Sequence, residues 1–357
     1  MRLIRARIDS SALRSNLQIM RACAPGRRVM AVVKANAYGH GLTGTALALA
    51  DADAFAVARL EEAMVLREAG LKRRIVLLEG VFSAAQLSQA ARADLDLVVH
   101  EELQLALLEA HRGERRLRLW LKVDTGMNRL GFRPEQFHAA WRRLSDLSVP
   151  PLELRVLTHL ACADEPDGSV TAEQLARLTP LLAGLNVELS IANSAAILAQ
   201  PATHAQWVRP GIALYGISPF PGRRAGEFGL RPAMTLESTV IAVRDVPAGE
   251  RVGYGGSWRA PQDSRVAIIA AGYGDGLLRS LGNGAPVIIG GRRVPLVGRV
   301  SMDMIAADVS ALPGVAVGER VELWGAALAV EELAAAGGTI AYELVCAVSQ
   351  RVPIEWV

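Results

Sequence analysis

Cysteine is scarce: Cys23, Cys162 and Cys346 are the only three in a chain of 357 residues. They are odd in number and far apart, which leaves no disulfide framework and no cysteine-based zinc spacing and suits a reducing cytoplasm. Long apolar runs are missing too. No segment approaches the roughly 18–20 uninterrupted apolar residues of a membrane-spanning helix, and the N-terminus lacks the basic start and apolar stretch of a signal peptide. Charge of one sign is absent: 39 basic and 36 acidic residues leave a net charge of +3. The short clusters Arg27-Arg28 and Arg73-Arg74 read as solvated faces, so there is no basic stripe for nucleic acid. Neither a Walker loop nor a G-x-G-x-x-G fingerprint after a strand occurs.

What is present, at 51% hydrophobic composition, is enough for a large core and a length that favours two domains. The first two thirds alternate short apolar runs with helix-like segments. The runs are 30–34, 54–58, 75–79, 95–100, 117–124, 152–160, 189–193 and 207–216. Continuous apolar runs are expected of parallel strands covered on both faces. Between them, 58–70, 83–93 and 171–184 repeat apolar residues three or four apart, with Ser or Thr caps or terminal Gly. Eight strands alternating with helices predict a (β/α)8 barrel; a doubly wound open sheet is the alternative. The Pro- and Gly-rich stretch 218–229 reads as a linker. After it, β-branched runs cut by Gly and Pro turns predict a mainly-β domain, with one helix over 330–338. The expected domains are therefore 1–226 and 227–357.

In such a barrel the active site lies at the C-terminal strand ends. Lys34 ends the first run, in "VVKANAYGHG". Lys122 ends the fifth with Asp124, and Arg129 follows in the loop. His159 ends the sixth, Asn193 and Ser194 the seventh, and Arg209, Gly211 and Ile212 fall around the eighth. A strand-end lysine either snorkels to water or, when buried, serves as a nucleophile. Ser194 at a helix start and Gly211 in "RPGIA" suit an anion such as phosphate; an ordinary cap and turn are the plainer reading. His159 taken alone reads more plainly as a core histidine. Tyr254 and Tyr273 sit in Gly-rich turns, which either project a phenol or cover a hairpin.

A strand-end lysine, anion-binding backbone and a nearby arginine suggest a pyridoxal phosphate site. The motifs "VVKANAYGHG", "LKVDTGMNRLG", "THLACAD", "NSAA", "VRPGIALYG", "VGYGGSW", "GYGDG" and "GRVSMDM" resemble, in order, those of the alanine racemases, from about residue 5 to 353. The resemblance implies a fold-type III enzyme: an N-terminal (β/α)8 barrel, a C-terminal β domain and a head-to-tail homodimer with shared active sites. It implies that Lys34 carries pyridoxal 5'-phosphate as a Schiff base and acts as one catalytic base. Tyr254 of the other subunit would be the second. Tyr38, Asn193, Ser194, Gly211, Ile212 and Tyr342 would bind the cofactor, with Arg209 at the pyridine nitrogen and His159 supporting it. Arg129 and the Met302 backbone N–H would hold the substrate carboxylate. Asp164, Tyr273, Arg279, Arg299 and Asp303 would line substrate access. Lys122 matches a lysine often carbamylated in that family, and no metal is implied. Ser301 stands where some members have Cys, and Gln350 is atypical. The implied activity is interconversion of L- and D-alanine in the cytoplasm, for peptidoglycan or for alanine catabolism. A racemase of another small amino acid such as serine, or a fold-type III amino-acid decarboxylase, is the alternative.

Overall fold

The computed structural model describes residues 3–357. Eight parallel strands close into a barrel: β2 (Arg28–Val32), β3 (Ala54–Val57), β4 (Arg74–Leu77), β5 (Asp96–Val99), β6 (Arg118–Lys122), β7 (Glu153–Leu157), β8 (Leu189–Ser190) and β9 (Trp207–Val208). The strand β1 (Arg5–Ile8) precedes them but lies outside the barrel. The runs read as strands are thus strands of one closed sheet, which removes the open-sheet alternative.

Three local readings are corrected. The first run stops being a strand at Val32, two residues before Lys34, and Lys34 opens the helical turn Lys34–Tyr38. The run 189–193 holds only the two-residue β8. The run 207–216 holds β9 and then a 3-10 turn, Ile212–Tyr215. Pro210 lacks an N–H, so the ladder cannot continue through it.

A second sheet follows the order β15-β14-β17-β10-β1-β18, with β13 pairing β10 and β16. Its strands are β10 (Met234–Val246), β13 (Ser264–Ile269), β14 (Pro286–Ile289), β15 (Arg292–Pro295), β16 (Ile305–Asp308), β17 (Arg320–Trp324) and β18 (Ile354–Trp356); β11 (Arg251–Val252) and β12 (Trp258–Arg259) form a separate hairpin. β1 lies antiparallel to β10 and parallel to β18, so residues 5–8 belong to this sheet although they precede the barrel in sequence. Beside the expected helix, seen as Val330–Ala336, a second one spans Ala341–Ala347. Its buried residues Ala341, Leu344 and Val345 have helical spacing.

Register explains how the barrel is filled. Asp96, Arg118 and Glu153 are partners across β5, β6 and β7. Side chains alternate along a strand, so Asp96, Arg118 and Trp120 project inward together. At this N-terminal end Asp96, fully buried, accepts from Arg118 Nε at 2.6 Å and Trp120 Nε1 at 3.2 Å. Arg74 reaches both Asp96 and Glu153, and Arg155 reaches Glu188 at 2.6 Å. The same alternation aims Lys122, two residues beyond Trp120, into the opposite mouth.

Candidate functional site

At the C-terminal mouth lies a cavity of ≈ 800 Å³, a size suited to a small ligand. Lys34, Tyr38, Lys122, Arg129, His159, Asp164, Asn193, Ser194, Arg209, Gly211, Ile212 and Tyr342 all line it. The chain has three lysines, and two of them are here.

Lys34 is held by an unusual backbone. Ala35, Asn36, Ala37 and Tyr38 all have φ between 52° and 54°, a full left-handed turn without a glycine. Such a turn costs about 1–2 kcal/mol per residue because Cβ crowds the following carbonyl, and strain of this kind gathers at functional sites. Its supports are specific. Glu62 Oε1 accepts from the Ala35 N–H at 2.6 Å, and Asn36 Oδ1 accepts from the Leu42 N–H at 2.9 Å. The chain leaves through Gly39, φ 78°, where a Cβ would lie 1.9 Å from the Val345 carbonyl oxygen. Glycine is therefore required, and the helix Ala341–Ala347 sits directly on the turn.

The cavity is rich in cations. Arg209 is buried and has no carboxylate partner among the described residues; it donates to Ser190 Oγ at 2.6 Å, the Thr158 carbonyl at 2.7 Å and His159 Nδ1 at 3.3 Å. Burial pulls its pKa down to about 10, so it stays positive at neutrality. Burial, then Arg209 and Arg129, pull Lys122 down to about 8, against the pull of Asp124. Burial and Arg209 hold His159 well below its ordinary value, as a neutral imidazole. Asp124 does not neutralise the group freely, since its Oδ1 caps the N–H groups of Gly126 and Asn128, each at 3.0 Å. Four cationic side chains thus converge with no ion pair among the described residues.

The donor set fits a phosphorylated ring compound. Burial raises the pKa of Tyr38 and of Tyr342, so both phenols keep their protons and can donate to an anion. Ser194 Oγ accepts from the Gly211 N–H at 2.8 Å, which leaves its own hydrogen to donate. A Cβ on Gly211 would stand 2.6 Å from the Tyr38 hydroxyl oxygen and fill the cradle between them. Asn193 lines the cavity, but its Oδ1 is engaged as a helix cap on the Ala196 N–H at 3.1 Å.

Comparison with known proteins points to one family. The N-terminal domain model of alanine racemase matches residues 8–219, and the C-terminal domain model matches 233–356. The chain is 50% identical to the alanine racemase of Shewanella sediminis over 350 residues, 98% of each chain. It is 46% identical to the biosynthetic alanine racemase of Pseudomonas aeruginosa, whose crystal structure superposes with a TM-score of 0.97 over 100% of both chains. The Bacillus anthracis alanine racemase, solved with bound L-Ala-P, is 31% identical with a TM-score of 0.87, covering 100% of this chain and 95% of that one.

The chain belongs to the alanine racemase family.

Six positions singled out by the resemblance to alanine racemases lie elsewhere. Tyr254, Tyr273, Arg279, Arg299, Met302 and Asp303 are all exposed and none lines the Lys34 cavity. Tyr254 caps the hairpin of β11 and β12 and is 70% exposed. Arg299 lies beside it: a Cβ on Gly255 would be 3.1 Å from its guanidinium. The Tyr273 N–H donates to the Ser301 carbonyl at 3.0 Å, and the Gly274 N–H to the Met302 carbonyl at 2.8 Å. Arg351 pairs with Asp303 at 2.6 Å. Tyr254, Tyr273, Arg299, Met302 and Asp303 thus lie in a second, open group on the β domain.

Sequence reasoning missed several cavity residues. Leu78 and Glu79 follow β4, and Cys346 rides on the helix Ala341–Ala347. The strand-end rule, applied to β4, would have found the first two. The apolar spacing 341, 344, 345 would have found the helix that carries the third.

Proposed function

We propose that the chain interconverts L- and D-alanine, with pyridoxal 5'-phosphate held at the barrel mouth. The observation that carries this reading is the convergence of Lys34, Lys122, Arg129 and Arg209 in one cavity without paired carboxylates among the described residues. That arrangement suits a ligand bringing a phosphate and a carboxylate. Tyr38, Ser194 and Tyr342 would hold the phosphate, and Lys34 would attach the cofactor. Arg209 would face the pyridine nitrogen, and because its guanidinium stays charged it would donate there without surrendering a proton. The cofactor, when bound, makes the Cα–H of an attached amino acid acidic.

Lys34 would remove or return the Cα proton on one face, and Tyr254 of a second copy would do so on the other. Two bases on opposite faces invert the centre without turning the substrate. Arg129 and the Met302 N–H would fix the substrate carboxylate. Lys122, pushed down to about 8, is close enough to neutral amine to accept carbamylation, which would place an anion beside Arg129. The exposure of Tyr254 and Met302 away from the Lys34 cavity supports a homodimer with shared sites. Asp164, Tyr273, Arg279, Arg299 and Asp303 would then border substrate access. The free cysteines suit the cytoplasm, and D-alanine for peptidoglycan is the role that fits the Pseudomonas relative described as biosynthetic.

The test is to offer the purified protein each L-amino acid and separate the products by chiral chromatography. D-alanine is expected, with borohydride fixing the cofactor to a peptide containing Lys34. D-serine as main product would move the substrate, release of CO2 would make it a decarboxylase, and full activity without cofactor would end the reading.

A further inference from the structure

His40 and Trp324 come from different domains and meet at a small cavity. His40 follows the left-handed turn, and Trp324 ends β17. Both are buried, at 0% and 1% exposure. The cavity they share is also lined by Tyr215, Glu331 and Val345. It measures ≈ 10 Å³, counted at the centre of a water-sized sphere, close to the ~10–15 Å³ that one water needs.

Two polar atoms in it, His40 Nε2 and Trp324 Nε1, have no hydrogen-bond partner among the described residues. Their needs are opposite. His40 Nδ1 lies 2.8 Å from the Tyr38 carbonyl, which only accepts, so Nδ1 carries the hydrogen and Nε2 presents a lone pair. The indole Nε1–H only donates. A bridge between them must accept from one and donate to the other, as a water molecule does. Glu331 Oε1 already accepts from the Ser218 N–H at 2.8 Å, and the carboxylate has another oxygen to take the second hydrogen.

We propose that one buried water bridges His40 Nε2 and Trp324 Nε1 and locks the β domain onto the turn that carries Lys34, making His40 and Trp324 positioning residues for that lysine. Both ends of the turn are tied to this joint. The Tyr215 hydroxyl donates to the Val32 carbonyl at 2.9 Å, at the end of β2. His40 holds the Tyr38 carbonyl at the other end. The rings of His40 and Tyr38 lie on Tyr215 at 4.5 and 4.9 Å between centroids. Burial pulls His40 down to about 4, so the imidazole is neutral at pH 7, in keeping with a lone pair at Nε2.

The water is tested by a crystal structure of the wild-type protein at about 1.5 Å resolution or better. Density within hydrogen-bond distance of both nitrogens is expected; none there overturns the proposal, whatever the fate of the cofactor reading. The positioning role rests on that reading, so its test starts from the rate at which wild-type holoenzyme releases pyridoxal phosphate. A wild type that holds none refutes the cofactor and, with it, the positioning role, while the density result still stands. His40→Phe and Trp324→Phe keep a ring and remove one partner each; either should speed release about tenfold, the scale of one lost hydrogen bond. Because they share one water, the double variant should be no worse than the worse single. Val287→Ala, in the β-domain core, should lower stability without changing release. Equal release in all variants, additive losses, or the same effect from Val287→Ala would overturn the role.

Discussion

At the N-terminal end of the barrel, Arg28, Arg74, Arg118 and Arg155 meet Asp94, Asp96, Glu153 and Glu188 in ion pairs. Arg28 also lies over the Trp207 ring, 4.3 Å from its centroid. At the C-terminal end, Lys34, Lys122, Arg129 and Arg209 share a cavity without one such pair among the described residues. The same barrel therefore holds two sets of cations. A set neutralised by its own carboxylates closes the structure, because each buried charge has its partner. A set left unneutralised is suited to an anionic partner from outside, which would offset the cost of gathering like charges. Neither the number of arginines nor the number of carboxylates separates the two ends, since Glu79, Asp164 and Glu331 also line the cavity; what differs is whether the charges are paired.

The largest effects should come from the unpaired end. Tyr254→Phe is expected to slow racemisation by about 10²–10⁴-fold, the scale of a positioned acid–base group, and to leave cofactor absorbance intact. Lys34→Ala should abolish both. If the open group on the β domain serves the cavity of a second copy, the two inactive variants should regain activity when mixed and reassembled. Random pairing then approaches one quarter of the wild-type sites, from the symmetry of a two-fold dimer. Proven subunit exchange without recovery would place the whole site in one chain.

The paired end should answer with stability alone. Asp96 is fully buried, and Asp96→Asn keeps its shape while removing the charge that Arg74 and Arg118 share. Because Arg74 keeps Glu153 and Arg118 keeps Asp94, neither is left uncompensated, and the cost should be about 1–3 kcal/mol, the scale of hydrogen bonds to a charged group, read as a fall in urea midpoint. KM for alanine should stay within about twofold. A changed KM at normal stability would mean that the two ends are coupled.

How much of this contrast the sequence reveals depends on range. The barrel is legible because its strands are continuous apolar runs, and the strand-end rule finds Lys34, Lys122, His159 and Arg209. The charge plug is not, because Asp96, Arg118 and Glu153 become neighbours only once the register of β5, β6 and β7 is known. β1 is illegible for the same reason: its partners β10 and β18 lie more than two hundred residues away. The left-handed turn gives no local warning, since Ala35–Tyr38 contains no glycine and is set by contacts with Glu62 and the helix Ala341–Ala347.

Acid should separate the ends by pH. His40 and His159 have folded pKa values pulled below the ordinary 6.5, His40 to about 4. Between those values the unfolded chain takes up protons that the folded chain refuses, so stability is lost as pH falls from about 6.5 toward 4. His40 alone accounts for about 3 kcal/mol of this at the lower limit. Glu153 and Glu188 at the other end are pulled down to about 2 by Arg74, Arg155 and Arg28, against burial. Their contribution is present above the ordinary carboxylate value and lost only as pH falls from about 4.5 toward 2. Urea midpoints followed from pH 8 to 3 should fall in two stages, and Glu153→Gln should flatten only the lower one. A single fall confined below pH 4.5 would remove the histidines from the account.

The smallest effect tests the strain beside Lys34. Ala35 is exposed, with φ 54° and ψ 53°, so Ala35→Gly sacrifices no packing. The left-handed conformation costs a residue with a Cβ about 1–2 kcal/mol, which glycine does not incur. Against this, glycine adds about 0.4–1 kcal/mol of conformational freedom to the unfolded chain. The difference favours the variant by between about 0 and about 1.6 kcal/mol. Ala139 is also exposed but lies in the right-handed helix Phe137–Ser145, where Ala139→Gly should instead cost about 1 kcal/mol. One chemical change would thus have opposite signs at two places, measured by the same urea unfolding. Destabilisation at both would show that the turn is relaxed in solution and that its left-handed backbone stores no strain.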